Sequence, residues 1–441
     1  MRVSEKLPTP AFILTYMGIG MLTVFVLAIL LSHSVGSPVL LWLASACLLS
    51  CVAVRQGYVI LHSLHGKNYR LSSHPISPAQ LPSITIIVPC LNEQSSLSRT
   101  IPINVSATYP GILRFIYVVE PDSSDRTAEL IESVAKMTPA VILHRKRMPA
   151  SGHGHALDVG FSRTDADILG FMDADHTIDN DSLIAVGQYF SRYPDLHALR
   201  GKCIRTSTQG AVAQLLASEW DWYEATEIPF HEFVRGFTVL GGGHGFLRGT
   251  SVRVNNIRFG GALHDDIDLS LRLHQAGFPV CIVPNVQTKQ EYPDTLINLF
   301  QQRRRWARGW WQLTMKFAGT LMRKSQASGV VRIDAFAALL VPMFCPAMLI
   351  SSLAAISVVH TLSYKLLAGI LLPLTVIYFG SAWFIHQRLF CRSWSLHRSL
   401  GISIGIPFLW FFYSFLFIMT AFEAACPGIN PTFYKTRKGN A

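Results

Sequence analysis

The chain has 441 residues, half of them hydrophobic and 15% charged, with a formal net charge of +11. It is longer than one usual domain and too apolar for an ordinary soluble enzyme, so a membrane protein carrying a polar part is the class to test. The basic residues are spread over loops beside apolar segments and in one cluster, which favours a solvated or lipid-facing role over nucleic acid as a partner. The eight cysteines form no C-x-x-C pair and no ligand spacing with histidine, which excludes a zinc site and a disulfide framework.

In chain order, residues 11–31 are uncharged over about 20 positions, enough to cross a hydrocarbon core of about 30 Å. That run is longer than the apolar core of a signal peptide, and a second, 38–62, follows at once. Three more apolar segments lie near 334–358, 366–386 and 400–422. The expected organisation is two spanning helices in 1–65, a polar domain over 66–295, amphipathic interface helices over 296–328, about three further spans over 329–423, and a basic tail over 424–441. Arg2 and Lys6 before the first span, with Arg55, Lys67 and Arg70 after the second, put the polar middle on the cytosolic side of a plasma or inner membrane. Lys435, Arg437 and Lys438 argue for a cytosolic tail as well. Three late crossings would put it outside. Either one late segment is re-entrant, near Pro407 or the Pro342/Pro346 pair, or the charge rule fails here.

Within the polar middle, "SITIIVPCLNE", "RFIYVVEPDSSD" and "ADILGFMDADHT" each read as a buried parallel strand that ends in polar residues. Helix-like stretches at 94–106 and 126–137 lie between them. Strand and helix in this rhythm predict a doubly wound α/β sheet whose ligands bind beyond the carboxyl ends of its strands.

Asp173 and Asp175 follow the third strand one residue apart and can both approach a hard cation such as Mg²⁺ together with phosphate oxygens. The competing reading is a turn that caps the next helix. In "GGALHDDIDLSLRLHQAGF" a helix is expected to start near Asp265 and Asp266, whose charge suits its first turn. A carboxylate there, at a cleft edge, could also take a proton from a hydroxyl. "VLGGGHGFLRG" lacks the features of a P-loop or dinucleotide turn and reads as a flexible loop against a bulky acceptor.

With these pieces in order, the chain resembles the membrane-embedded family-2 glycosyltransferases of the cellulose synthase, hyaluronan synthase and poly-N-acetylglucosamine synthase type. The resemblance runs from "IIVPCLNE" through "EPDSSDRT", "GHGHALDVG", "DAD" and "HDDIDLSLRL" to "QQRRRW", and includes the flanking spans. It implies a GT-A domain with a Rossmann-like, mostly parallel sheet, joined to a helical transmembrane bundle. It also implies a UDP-sugar donor, Mg²⁺ or Mn²⁺, and inversion at the anomeric carbon.

By position, the resemblance makes Asp266 the general base and assigns Asp173 and Asp175 to the metal, with Asp173 also at the donor. Pro89, Asn92, Glu93, Glu120, Asp122, His153, Gln302 and Arg305 complete the donor site it implies. Gly243, His244, Gly245, Asp265 and Trp306 fall to the acceptor. Two positions depart from the family pattern. Glu120-Pro121-Asp122-Ser123 stands for Asp-Asp-Gly-Ser, so the base-contacting acid is Glu120 or Asp122. His153 replaces a frequent Lys, which is expected to weaken a phosphate contact and make it pH-sensitive.

Of the cluster that opens with Gln302, Arg305 and Trp306 are the expected substrate contacts. Arg303, Arg304 and Arg308 are expected at lipid headgroups, and Trp310 and Trp311 in the interface. The function expected first is a processive synthase of a β-linked polysaccharide, with accessory export subunits as potential partners. Transfer of one sugar to a lipid acceptor is the alternative, and a nucleotide-sugar-binding transport or receptor protein is the rival from another class.

Overall fold

The computed structural model describes residues 81–146, 152–205, 210–233, 235–290, 292–293, 295–323, 326–340, 342–343, 383–384 and 395–425. The expected spans 11–31 and 38–62, most of 334–358 and 366–386, and the basic tail lie outside the described residues.

Strand β1 (Ile84–Cys90) is buried at every position. Its side chains alternate between two cores, as the two-residue period of a strand demands. Ile84, Ile86, Val88 and Cys90 join Phe115, Tyr117 and Val119 of β2 (Leu113–Val119) in one core. Ile87 joins Ile116 and Val118 in the other. Helices α1 (Gln94–Ser106) and α2 (Thr127–Ala135) supply Leu97, Ile101, Ala128 and Ile131 to the first core. Beyond β3 (Val141–Arg145), α3 (His153–Phe161) supplies Ala156, Leu157 and Phe161 to the second. A sheet covered on both faces needs a nearly continuous apolar run in its central strands, which "ITIIVPC" provides except at Thr85, whose hydroxyl is paired with that of Thr164 at 2.9 Å.

The remaining strands are β4 (Ile168–Phe171), β5 (Thr177–Ile178), β6 (Ala198–Arg205), β7 (Gly245–Arg248) and β8 (Val280–Gln290). Between β5 and β6 lies α4 (Asn180–Arg192), and Asp179 caps it by accepting from the Ser182 amide at 2.9 Å. The cap falls to Asp179, and neither Asp173 nor Asp175 is used for it.

The strand order is β3-β2-β1-β4-β7-β6-β8-β5. Pairs β1–β2, β1–β4, β2–β3 and β6–β8 are parallel, whereas β4–β7, β6–β7 and β5–β8 are antiparallel. The sheet is therefore mixed, and the half expected from the strand-helix rhythm is the parallel half. Strand β7 arises from the glycine segment that the sequence presents as a loop. Gly245 opens it because a Cβ there would run into Phe171 and Leu240.

The chain divides into one unit that includes Lys67–Ala213 and Thr238–Ser328, and another that includes Gln214–Phe237 and Gly329–Asn430. The segment between β6 and β7 therefore leaves the sheet unit. It forms α5 (Ala211–Trp222), a π-helical turn over Tyr223–Glu227 and α6 (Ile228–Phe233). The domain expected over 66–295 had not set this segment apart, because its tryptophans and acids repeat no pattern that marks a boundary. In the sheet unit follow α7 (Gly249–Val254), α8 (Asp265–Gln275) and α9 (Leu296–Arg323), the last one continuous helix of 28 residues.

The second unit continues with α10 (Gly329–Leu339) and α11 (Leu396–Ala425). Trp222 and Trp383 stack there with ring centroids 4.5 Å apart, and the Trp383 indole donates to Ser218. The Tyr413 hydroxyl donates to Glu219 at 2.7 Å. Residues Leu396–Glu423 of α11 have a mean hydropathy of 2.0 over their most apolar stretch and are long enough to cross a membrane; among the described residues no other helix is both.

Candidate functional site

Strands β1, β2 and β4 run parallel, so their carboxyl ends deliver three loops to one edge. The first two loops are stitched together. Asn92 adopts φ +55°, and its Oδ1 accepts from the amides of Ser124 (2.7 Å) and Asp125 (3.3 Å). The Asn92 amide donates to Ser123 Oγ at 3.0 Å, and the Glu93 amide donates to Thr127 Oγ1 at 2.8 Å. Asn92 and Glu93 thus shape the loop that the sequence assigns to the donor. Pro89 is buried inside β1, paired with Val118.

Glu120 is buried, and both of its oxygens accept from Lys146 Nζ, at 3.1 and 2.8 Å. Asp122 is exposed at the tip of the same loop. Lys146 was missed by sequence reasoning; its position just past β3, opposite the end of β2, was the available signal.

The third loop carries Asp173 and Asp175 with His176, whose possible ligand atoms all lie within 4.8 Å of one another. His176 is 1% exposed. Its Nδ1 lies 3.4 Å from an Asp175 oxygen and 3.9 Å from an Asp173 oxygen, yet makes no hydrogen bond. On the far side of the ring, Nε2 is 3.9 Å from Cys203 Sγ, and the Cys203 thiol donates to Gln290 Oε1 at 3.8 Å. In the tautomer whose proton is on Nε2, the sulfur is the acceptor and the Nδ1 lone pair faces the two carboxylates. A cation would satisfy all three groups, so these residues fit a divalent metal. The sequence alone does not single out His176, because a histidine beside a D-x-D reads equally well as a cap or a core residue.

Gly243 packs against this ring at φ +146°, where a Cβ would collide with it. His244 and Gly245 point into the protein: His244 is 3% exposed and its carbonyl accepts from the Gly201 amide at 2.8 Å. The expected flexible loop is thus a tight turn leading into β7.

His153, at the start of α3, joins the third loop to α8. Its Nε2 is 3.2 Å from Asp173 Oδ1 and its Nδ1 is 2.6 Å from Asp265 Oδ2. Burial alone would lower the His153 pKa, but the charges and hydrogen bonds of Asp265 and Asp173 push it up to about 10. The expected pH sensitivity near neutrality is therefore corrected: the two carboxylates keep this histidine a cation, as a lysine would be.

Asp265 and Asp266 form the first turn of α8, where the helix dipole favours negative charge. Burial pushes the Asp266 carboxyl up, but hydrogen bonding and charge from His264, with the Ile267 amide, outweigh it and hold the group below its ordinary value. Asp266 is thus ionised at neutral pH and able to accept a proton.

Helix α9 brings the arginines. Burial draws the Arg305 pKa down, while the charges of Asp265, Asp173 and Asp266 oppose that shift. Gln302 is buried on the same helix. Trp306 and Trp310 both lie beside the His264 ring, with centroids 5.8 and 5.7 Å away. Arg303, expected at headgroups, stacks over Trp306 at 4.1 Å.

Residues from four separate stretches thus meet beyond the strand ends: Asp173, Asp175 and His176; His153; His264 to Asp266; and Arg305 with Trp306. The sheet and this site define a GT-A-type glycosyltransferase domain. The chain belongs to glycosyltransferase-like family 2, whose model matches residues 82–309.

A mannosyltransferase from Pyrobaculum calidifontis, solved with GDP-mannose and Mn²⁺, has the same fold, with a TM-score of 0.54 over 90% of this chain and 99% of that one at 17% identity. A beta-monoglucosyldiacylglycerol synthase from Synechocystis is 29% identical over 54% of this chain and 49% of its own length. A poly-beta-1,6-N-acetyl-D-glucosamine synthase from Staphylococcus aureus is 23% identical over 58% of this chain and 62% of its own. The chain spans about half the length of the first curated relatives it matches.

Proposed function

We propose that the chain is an inverting, metal-dependent transferase that moves a hexose from a UDP-sugar to the hydroxyl of a lipid acceptor at a membrane. The observation that carries this reading is the meeting of a carboxylate able to act as base, Asp266, with a cation-ready trio and an arginine in one place. Asp173, Asp175 and His176 would hold Mg²⁺ or Mn²⁺. A divalent ion there would stabilise charge developing on the leaving diphosphate.

His153 and Arg305 add fixed positive charge for the same oxygens, with Gln302 beside them. Because charge on the leaving group is met electrostatically, no acid is needed to protonate it and a single base suffices. Pro89, Asn92, Glu93, Glu120 and Asp122 shape the nucleoside end. Gly243, Asp265 and Trp306 border the acceptor side.

Membrane embedding is supported by α11, where the exposed Ile404, Phe408, Phe411 and Phe415 recur at helical spacing on one face. A lipid acceptor is supported by the glucosyldiacylglycerol synthase, the more similar of the two relatives. Elongation of a β-linked polysaccharide, with export partners, is the second reading. It is favoured by the staphylococcal synthase, which aligns over a larger share of its own length.

The test is incubation of the purified chain with labelled UDP-glucose, UDP-N-acetylglucosamine or GDP-mannose and diacylglycerol-containing vesicles, with and without Mn²⁺. A metal-dependent product carrying one sugar is expected. A polymer would support the second reading. Donor binding without turnover would overturn both and leave a transport or receptor role.

A further inference from the structure

The two oxygens of Asp266 have different surroundings. Oδ1 accepts from the Ile267 amide at 2.9 Å and lies 3.2 Å from His264 Nδ1. Oδ2 faces the turn before β7 at Gly242, where even an added Cβ would stop 3.5 Å short of it. One oxygen is fixed by two nitrogens and the other borders a position without a side chain.

His264 is itself held from the opposite side, by α9. Gly309 lets that helix approach closely, since a Cβ there would lie 2.9 Å from the His264 backbone nitrogen and from its Cβ. The imidazole stands beside Trp306 and Trp310. One residue earlier, the Leu263 amide donates to Gln312 Oε1 at 3.1 Å, which ties the same stretch to the same helix.

His264 Nε2 is buried and makes no hydrogen bond. The nitrogen on the other side of the ring, Nδ1, is the one that faces Asp266 and can direct a proton at its oxygen. The last torsion of an aspartate is soft, so a carboxylate with no such partner would swing between orientations.

We propose that His264 is a positioning residue: its Nδ1–H fixes Oδ1 of Asp266 and so aims Oδ2 at an acceptor hydroxyl above Gly242. In the step it serves, the acceptor oxygen bonds to the anomeric carbon, the sugar–phosphate bond breaks with its electron pair leaving on the diphosphate, and the hydroxyl proton passes to Asp266 Oδ2. The inference rests on Asp266 as the base and deepens that reading. It also gives the tryptophans of α9 a second task, because the helix that borders the acceptor side sets the orientation of the base.

Two substitutions separate a hydrogen-bonding role from a packing role. His264→Asn places an amide nitrogen near the position of Nδ1 but removes the ring. His264→Phe keeps a ring beside the indoles but has no donor. With the full chain in diacylglycerol-containing vesicles, UDP-glucose and Mn²⁺, read as UDP release, H264F is expected to lower kcat by ~10- to 100-fold with the donor KM unchanged. H264N is expected to keep kcat within about threefold of the parent, since the donor is retained.

A fully active H264F with an impaired H264N would overturn the proposal in favour of packing. Full activity in both, or equal loss in both, would overturn it as well. Asp266→Asn in the same assay separates the two layers. Undiminished turnover in D266N would remove the base assignment itself, whereas a dead D266N beside a fully active H264F would remove only the role of His264.

Discussion

His153 and His231 each meet an aspartate at close range, 2.6 Å to Asp265 and 2.7 Å to Asp334, but the two contacts serve different ends. In the second unit, Asp334 Oδ2 also accepts from the Phe237 amide at 2.7 Å, so one buried carboxylate is matched by an imidazole and a backbone donor. The same unit also contains the Trp222–Trp383 stack and the Tyr413–Glu219 hydrogen bond. There the polar groups pin apolar surfaces together, and the arrangement holds the fold.

In the sheet unit, one imidazole is shared between Asp173 and Asp265, with Asp175 and Asp266 close by and Arg305 as a further cation. Four carboxylates drawn from two distant stretches are more negative charge than those two cations balance. The same pair of residue types thus serves a packed seam in one unit and lies within a cluster of four carboxylates in the other, the arrangement on which the proposed metal site rests.

The comparison can be broken most forcefully at the metal trio. Asp175→Asn should lower metal-dependent turnover by ~10³-fold, because the leaving diphosphate loses its counter-charge. Turnover near that of the parent would mean that the surplus of negative charge serves no cation. On the structural side, Trp383→Ala should destabilise the chain by about 3 kcal/mol, as for a large buried ring removed from a packed seam. Surviving protein should keep its kcat, and a change in kcat at unchanged stability would blur the distinction between the two regions.

His176→Leu sharpens the metal assignment further. Mn²⁺ affinity, followed by the loss of the free-ion signal in electron paramagnetic resonance, should fall by ~10-fold or more. Gly243→Ala should weaken Mn²⁺ binding in the same assay by a smaller factor, since its Cβ would push the His176 ring while its φ of +146° already disfavours a side chain.

The smallest effect concerns pH. The His153 pKa stands at about 10, above its ordinary 6.5, so its contribution to the stability of metal-free protein is complete below about 6.5 and declines as pH rises through about 10. Melting temperatures measured across that window should fall with pH in the parent, and His153→Gln should flatten the slope.

Much of the parallel half was legible in the sequence, because strands buried on both faces must be continuously apolar and must end in polar turns. The start of α8 was legible for a similar reason: acids followed by a 267/271 apolar face identify a first turn. Strand β7 was not, since Gly245 at its start packs against Phe171 and Gly243 in the turn before it packs against the His176 ring, which no local pattern reports. Lys146 is not marked by any local pattern, because its partner Glu120 lies 26 residues earlier in the chain. The fate of 214–237, which leaves the sheet unit, rests on tryptophan contacts with residues more than a hundred positions later.

The central claim is that one site beyond the strand ends both holds the donor and deprotonates the acceptor. Measuring Mn²⁺-dependent UDP affinity and turnover side by side in the parent and Asp266→Asn tests it most directly. Unchanged UDP affinity with turnover reduced to background is expected. Turnover equal to that of the parent, or loss of UDP binding together with turnover, would contradict it.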